Sequence, residues 1–145
     1  MILAVDTDVL VHWAMEGAPR HRAVRRLFRQ EVERRGGTLG LTPQVVQEFL
    51  HVVTDPRRFD NPLSMEQACE LVEALWDAQE VETILPAAGV VPRTIDLLIR
   101  LKLGRKRILD TALAATLEIA GVRRLATLNR GDFEVFPFLE LVSPG

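Results

Sequence analysis

The chain opens with Ile2-Leu3-Ala4-Val5-Asp6-Thr7-Asp8-Val9-Leu10, a short apolar run that stops at an acid. Four apolar residues in succession, without alternation, are the form of a parallel strand buried on both faces. Thr7 is then read as the cap of a helix. From Pro19 to Arg35 the apolar residues Ala23, Val24, Leu27, Phe28 and Val32 recur at helical spacing, and Gly36-Gly37 supplies a stop. Thr38 to Leu41 is a second strand candidate, followed by Thr42-Pro43 as cap and first position of a helix to about Val53. Ser64, with Glu66 and Gln67 behind it, opens a further amphipathic helix whose apolar side includes Met65, Cys69, Leu71, Leu75 and Trp76. Val81 to Leu85 is a strand candidate. Helices are expected over Pro92 to Lys102 and Ile108 to Ala120, and strands over Arg124 to Leu128 and Leu139 to Val142. Strands alternating with helices imply right-handed crossovers and a mostly parallel sheet, with ligands beyond the carboxyl ends of its strands.

A length of 145 residues with 48% hydrophobic content suits one domain spanning 1–145. No run approaches the length of a membrane span, and Asp6 comes too early for a secretory signal, so a cytoplasmic protein is expected. The single cysteine, Cys69, cannot form an internal disulfide and reads as core. His12, His21 and His51 have no mutual spacing that suggests a triad and read as surface or boundary residues. With no Cys/His cluster, any metal must be a hard ion held by oxygen. A net charge of −2 argues against a protein that coats nucleic acid by charge alone, so binding RNA or DNA needs local basic groups.

Four acids carry the chemistry. Asp6 ends the first strand. Asp110 shares a helical stripe with Leu113, Ala114 and Leu117, where an unpartnered carboxylate is costly. Glu48 lies at the margin of an apolar side that includes Val45, Phe49 and Val52. Asp132 follows the strand ending near Leu128 and reaches the same rim from a loop. Each also has a bland role: Asp6 and Asp8 as helix-start acids, Glu48 as an arginine's partner, Asp132 as a turn residue after Gly131. Together they would repel strongly, and Mg²⁺ or Mn²⁺ is the usual compensation for converging carboxylates. Two such ions can activate water and stabilise the leaving oxygen in phosphodiester cleavage.

The order of these segments resembles the PIN-domain ribonucleases, and within them the toxin half of VapBC-type toxin–antitoxin pairs. Val5-Asp6-Thr7-Asp8-Val9-Leu10 is similar to the opening motif, and Pro43 to Leu50 places Glu48 at the second acidic position. Leu109 to Ala115 is similar to the third motif, with Asp110, and Thr127-Leu128-Asn129-Arg130-Gly131-Asp132-Phe133 to the closing one. Asp8 stands where many members have Asn. The resemblance covers nearly the whole chain. It implies a three-layer α/β/α sandwich on a five-stranded parallel sheet, Mg²⁺ or Mn²⁺ dependence, homodimers and a small antitoxin. Asp6, Glu48, Asp110 and Asp132 would hold metal, with Thr7, Asp8, Thr127 and Asn129 in support.

Two rival readings remain. Asp6-Thr7-Asp8-Val9 also fits haloacid-dehalogenase-like phosphatases, with Asp6 as nucleophile, but their mechanism needs a later lysine and the only lysines are Lys102 and Lys106, beside Gly104. A PIN-like fold used only for binding is the other. Arg105-Lys106-Arg107, just before Asp110, is a candidate grip for RNA phosphate. Arg20, Arg22, Arg25, Arg26 and Arg29 decorate the second helix, and there a solvated charged face is the preferred reading.

Overall fold

The computed structural model describes residues 1–145. Five strands form one sheet: β1 (Ile2–Val5), β2 (Thr38–Leu41), β3 (Val81–Thr83), β4 (Arg124–Ala126) and β5 (Glu140–Val142). Their order is β3-β2-β1-β4-β5, and all four pairings are parallel. β1 is therefore central, with Ala4 opposite Gly40 on one side and Leu125 on the other. A strand paired on both edges and packed on both faces must be apolar throughout, and Leu3, Ala4 and Val5 are all buried.

Six α-helices cover the sheet: α1 (Thr7–Ala14), α2 (His21–Arg29), α3 (Pro43–Val53), α4 (Met65–Trp76), α5 (Val90–Arg100) and α6 (Ile108–Ile119). α1 packs on α2 and α3, and α3 on α4, while α5 packs on α6, which gives the three-layer α/β/α arrangement. The local signals act as their chemistry predicts. The Thr42 hydroxyl accepts from the Val45 N–H at 3.2 Å, with Pro43 at the start of α3. Ser64 and Gln67 exchange bonds of 3.1 and 3.0 Å in a capping box. Gly36 and Gly121 take positive φ at the helix stops, +64° and +75°.

Several expectations need correction. Asp6, not Thr7, caps α1: its carboxylate accepts the Thr7 N–H at 2.7 Å, and Thr7 is already helical. The helix expected over Pro19–Arg35 begins at His21 and widens into a π-helical segment at Gln30–Arg34. The wider turn shifts the face that meets the sheet, so that Glu31 is buried where the helical repeat put Val32. Arg124 of β4 pairs with the buried carboxylate at 2.6 and 2.9 Å. Cys69 is exposed rather than core, because of the apolar residues of α4 only Ala68 is fully buried. β3 and β4 are each two residues shorter than read, Val81–Thr83 and Arg124–Ala126, because the chain leaves the sheet once parallel pairing ends. No helix is long and apolar enough to cross a membrane.

Candidate active site

β1 and β4 end side by side, and their pairing brings the first and last candidate motifs together. The Asp6 N–H donates to the Ala126 carbonyl at 3.1 Å. The Thr127 hydroxyl donates to the other Asp6 carboxylate oxygen at 3.2 Å and accepts the Asn129 N–H at 3.0 Å. Thr127 is wholly buried, so this hydroxyl is fixed between two partners. Asn129 then reaches back across the site, its side-chain amide donating to Asp8 at 2.7 Å.

Asp110 lies in the first turn of α6, whose Thr111, Leu113, Ala114 and Leu117 are buried. That burial turns one edge of the helix towards the acids. The Asp110 carboxyl is pushed up to about 6, first by burial and then by repulsion from Asp132, with Glu48 and Asp8 adding to it and Arg107 opposing. Asp6 is pushed up to about 7, chiefly by burial, with Asp8 and Asp110 contributing and the Thr7 and Thr127 hydrogen bonds opposing. Asp110 thus feels the charge of Asp132, Glu48 and Asp8, and Asp6 feels Asp8 and Asp110. All five acids are partly buried.

Two positioning contacts escaped the sequence. Gln44 donates to Glu48 at 3.3 Å and to the Leu109 carbonyl at 2.9 Å, tying α3 to the start of α6. Its signal was the i, i+4 spacing to Glu48 on one helix face. Arg107 stands apart from its neighbours in the basic trio. Arg105 and Lys106 are exposed, whereas Arg107 is half-buried, bonds the Asp132 carbonyl and keeps a buried Nε–H without a partner. The histidines lie at the boundary or surface as expected: His12 and His21 are half-buried and His51 is exposed.

The donor set is carboxylate, hydroxyl and amide oxygen, which suits Mg²⁺ or Mn²⁺ and no soft metal. No three of the acids stand close enough together to hold an ion by themselves. Mg²⁺ ordinarily keeps several waters, so a carboxylate rim of this kind fits it. A dication would also offset the mutual repulsion that, after burial, helps to raise the Asp6 and Asp110 carboxyls.

Known proteins resemble this chain over nearly its whole length. Ribonuclease VapC24 of Mycobacterium tuberculosis is 24% identical over 148 residues, spanning 99% of this chain and 97% of the relative. VapBC2 of Rickettsia felis, solved bound to a DNA fragment from their promoter, superposes with a TM-score of 0.70 at 18% identity, covering 99% of this chain and 98% of that one. A toxin–antitoxin complex from Klebsiella pneumoniae gives 0.65 at 18% identity, with 99% and 98% covered. These superpositions establish the fold, and the PIN domain family model matches residues 3–139, from β1 to the segment leading into β5. The chain belongs to the PIN-domain family.

Proposed function

We propose that this chain is a divalent-metal-dependent endoribonuclease, the toxin component of a VapBC-type pair, formed by one PIN-like domain over residues 1–145. The observation that carries the reading is a set of hydrogen bonds linking the segments that bear five acids: Thr127 bonds Asp6, Asn129 bonds Asp8, Gln44 bonds Glu48 and the Leu109 carbonyl beside Asp110, and Arg107 joins the start of α6 to Asp132. In a PIN-domain chain with a ribonuclease among its relatives, such a rim suits phosphodiester hydrolysis.

Asp6, Glu48, Asp110 and Asp132 would hold Mg²⁺ or Mn²⁺, directly or through water, and Asp8 would support them. When bound, the cation lowers the pKa of a water and offsets charge on the phosphoryl oxygens. The chain's own groups do the positioning. Thr127 holds Asp6, Asn129 holds Asp8, and Gln44 holds Glu48. Arg107, bonded to the Asp132 carbonyl, sets a guanidinium charge beside Asp110 that would attract a phosphate to the rim, while the exposed Arg105 and Lys106 would grip flanking phosphates.

A toxin–antitoxin complex among the structural relatives supports a small antitoxin as partner, and the cytoplasm is the compartment in which such a pair would meet RNA. Val91, Ile95 and Ile99 form an exposed apolar stripe on α5 at i, i+4, i+8, which suits a homodimer contact. Cleavage of mixed RNA by purified protein in Mg²⁺, Mn²⁺, Ca²⁺ or EDTA tests the activity. Strand scission with Mg²⁺ or Mn²⁺ that stops in EDTA is expected. Undiminished cleavage in EDTA by contaminant-free protein overturns the metal role, and no cleavage under any condition overturns the ribonuclease.

A further inference from the structure

The arginines of α2 have an environment unlike that of most other arginines in the chain. Arg57 and Arg58 contact Asp55, Arg93 pairs with Glu118 and Asp96, Arg100 with Asp96, Arg124 with Glu31 and Arg130 with Glu134. Arg22, Arg25, Arg26 and Arg29 are all exposed and none contacts a carboxylate. They fall at i, i+3, i+4 and i+7, on one face of a helix that buries Val24 and Phe28 on the other. With His21 and Glu16 they line a shallow concavity of about 550 Å³.

This arrangement costs stability. Like charges at i, i+4 repel, and Arg22 in the first turn opposes the helix dipole. α2 contains no acid and has no side-chain cap. One arginine is also held in place: Arg25 lies over the Trp13 ring at 4.6 Å and donates to the Trp13 carbonyl at 3.0 Å. A face that merely keeps a protein soluble mixes both signs and needs no such anchoring.

The start of α2 is fastened to α1 at His12, one turn beyond Asp8. Asp8 and His12 are one turn apart on α1, and the Asp8 charge acts on His12. The His12 ring accepts the Arg20 N–H at 3.1 Å, and the His21 ring bonds the His12 carbonyl at 2.9 Å. From His21 the arginines run along α2 for about 12 Å at 1.5 Å per residue.

We propose that this arginine face is a track for the RNA backbone, carrying the strand past His12 to the acid rim. The proposal rests on the ribonuclease reading above and names where its substrate lies. In a chain of net charge −2 the track supplies the local attraction that the molecule as a whole lacks.

The test compares the full-length protein with R22Q/R26Q/R29Q and R22K/R26K/R29K, leaving Arg25 on Trp13. Gln matches Arg in helix propensity, so both variants should fold, and the Gln variant should melt no lower than wild type. Binding of labelled single-stranded polyuridine in EDTA is measured across NaCl concentrations. The salt slope of the Gln variant should be shallower by roughly 2, at about 0.7 per lost phosphate contact, while the Lys variant keeps it. In Mg²⁺ the Gln variant should raise KM with little change in kcat. An unchanged slope and KM overturn the track. So does an unchanged RNA slope with lost binding of polyglutamate, which would make the face a dock for an acidic protein. If wild type cleaves no RNA the ribonuclease reading falls, and the slope still decides whether α2 holds RNA.

Discussion

The buried hydroxyl of Thr127 bonds the Asp6 carboxylate at 3.2 Å, joining the two ends of the sequence across adjacent strands. The same oxygen accepts the Asn129 N–H. Thr127→Val keeps the shape and removes both bonds, so it should cost about 1–3 kcal/mol for the stranded groups. It should also lower cleavage roughly 10- to 100-fold through loss of Asp6 orientation. Chemical denaturation beside a cleavage assay checks both. Full activity in a destabilised Val variant would reduce Thr127 to a structural residue.

Asp6→Asn separates catalysis from capping. Asn caps a helix about as well as Asp, and it removes one of the mutually repelling charges. The variant should lose cleavage by on the order of 100-fold or more. It should melt no lower than wild type in EDTA. In saturating Mg²⁺ the order should reverse, because wild type gains more from an ion that binds only its folded state. The same stability difference with and without Mg²⁺ would show that Asp6 is only a cap.

The raised carboxyls give a pH signature. Asp6 and Asp110 move from 3.8 to about 7 and about 6 in the folded chain, so between pH 4 and 7 the folded state binds more protons than the unfolded one. Their contribution to metal-free stability therefore falls as pH rises through that window. His12, held below its ordinary value by burial, acts in the opposite sense near its own titration. The clean measurement is the melting difference between wild type and Asp6→Asn in EDTA, which should shift in favour of the variant from pH 4 to pH 7. A difference that does not change with pH would place Asp6 in a solvated setting.

Arg107 should behave differently from its two neighbours. Arg105→Gln with Lys106→Gln removes exposed charge and should weaken RNA binding and flatten its salt dependence, with folding intact. Arg107→Gln takes away the cation that opposes Asp110 repulsion and the donor to the Asp132 carbonyl. Its kcat should fall more than its RNA affinity. Equal losses in kcat and affinity across the three positions would return Arg107 to the role of a plain phosphate grip.

Arg124 starts β4, at the end of the sheet away from the acids, and its pairing with Glu31 supplies a control for stability alone. Arg124→Met leaves a carboxylate only 3% exposed with the more distant Arg35, at 3.9 Å, as its remaining ion-pair contact, and should cost up to about 3–5 kcal/mol. Adding Glu31→Gln should recover part of that loss. Arg124 holds the Glu31 carboxyl below its ordinary range, so the pair's stabilisation is present above pH 4.5 and fades as pH falls below it. Activity per folded molecule should be unchanged in both variants. A loss of activity that outruns the loss of folded protein would couple this end of the sheet to the acids.

The sequence by itself determined the strand and helix order, because each signal is local. An unbroken apolar tetrad makes β1, Thr42-Pro43 and Ser64 to Gln67 set helix starts, and two glycines with positive φ set stops. Asp6 at a strand end and Asp110 on an apolar stripe were legible for the same reason. Tertiary structure alone decided what depends on packing across the sheet. Nothing local tells that the turn after α2 widens, so Glu31 enters the core to meet Arg124, 93 residues away. Nor does spacing tell that α4 leaves Cys69 exposed, or that Arg107 turns into the rim while Arg105 and Lys106 turn out. The pairing of β1 with β4 brings Thr127 to Asp6, and helix packing sets which charges Asp110 feels. Such contacts join residues distant in sequence, and periodicity records only which face a residue takes, not what it meets there.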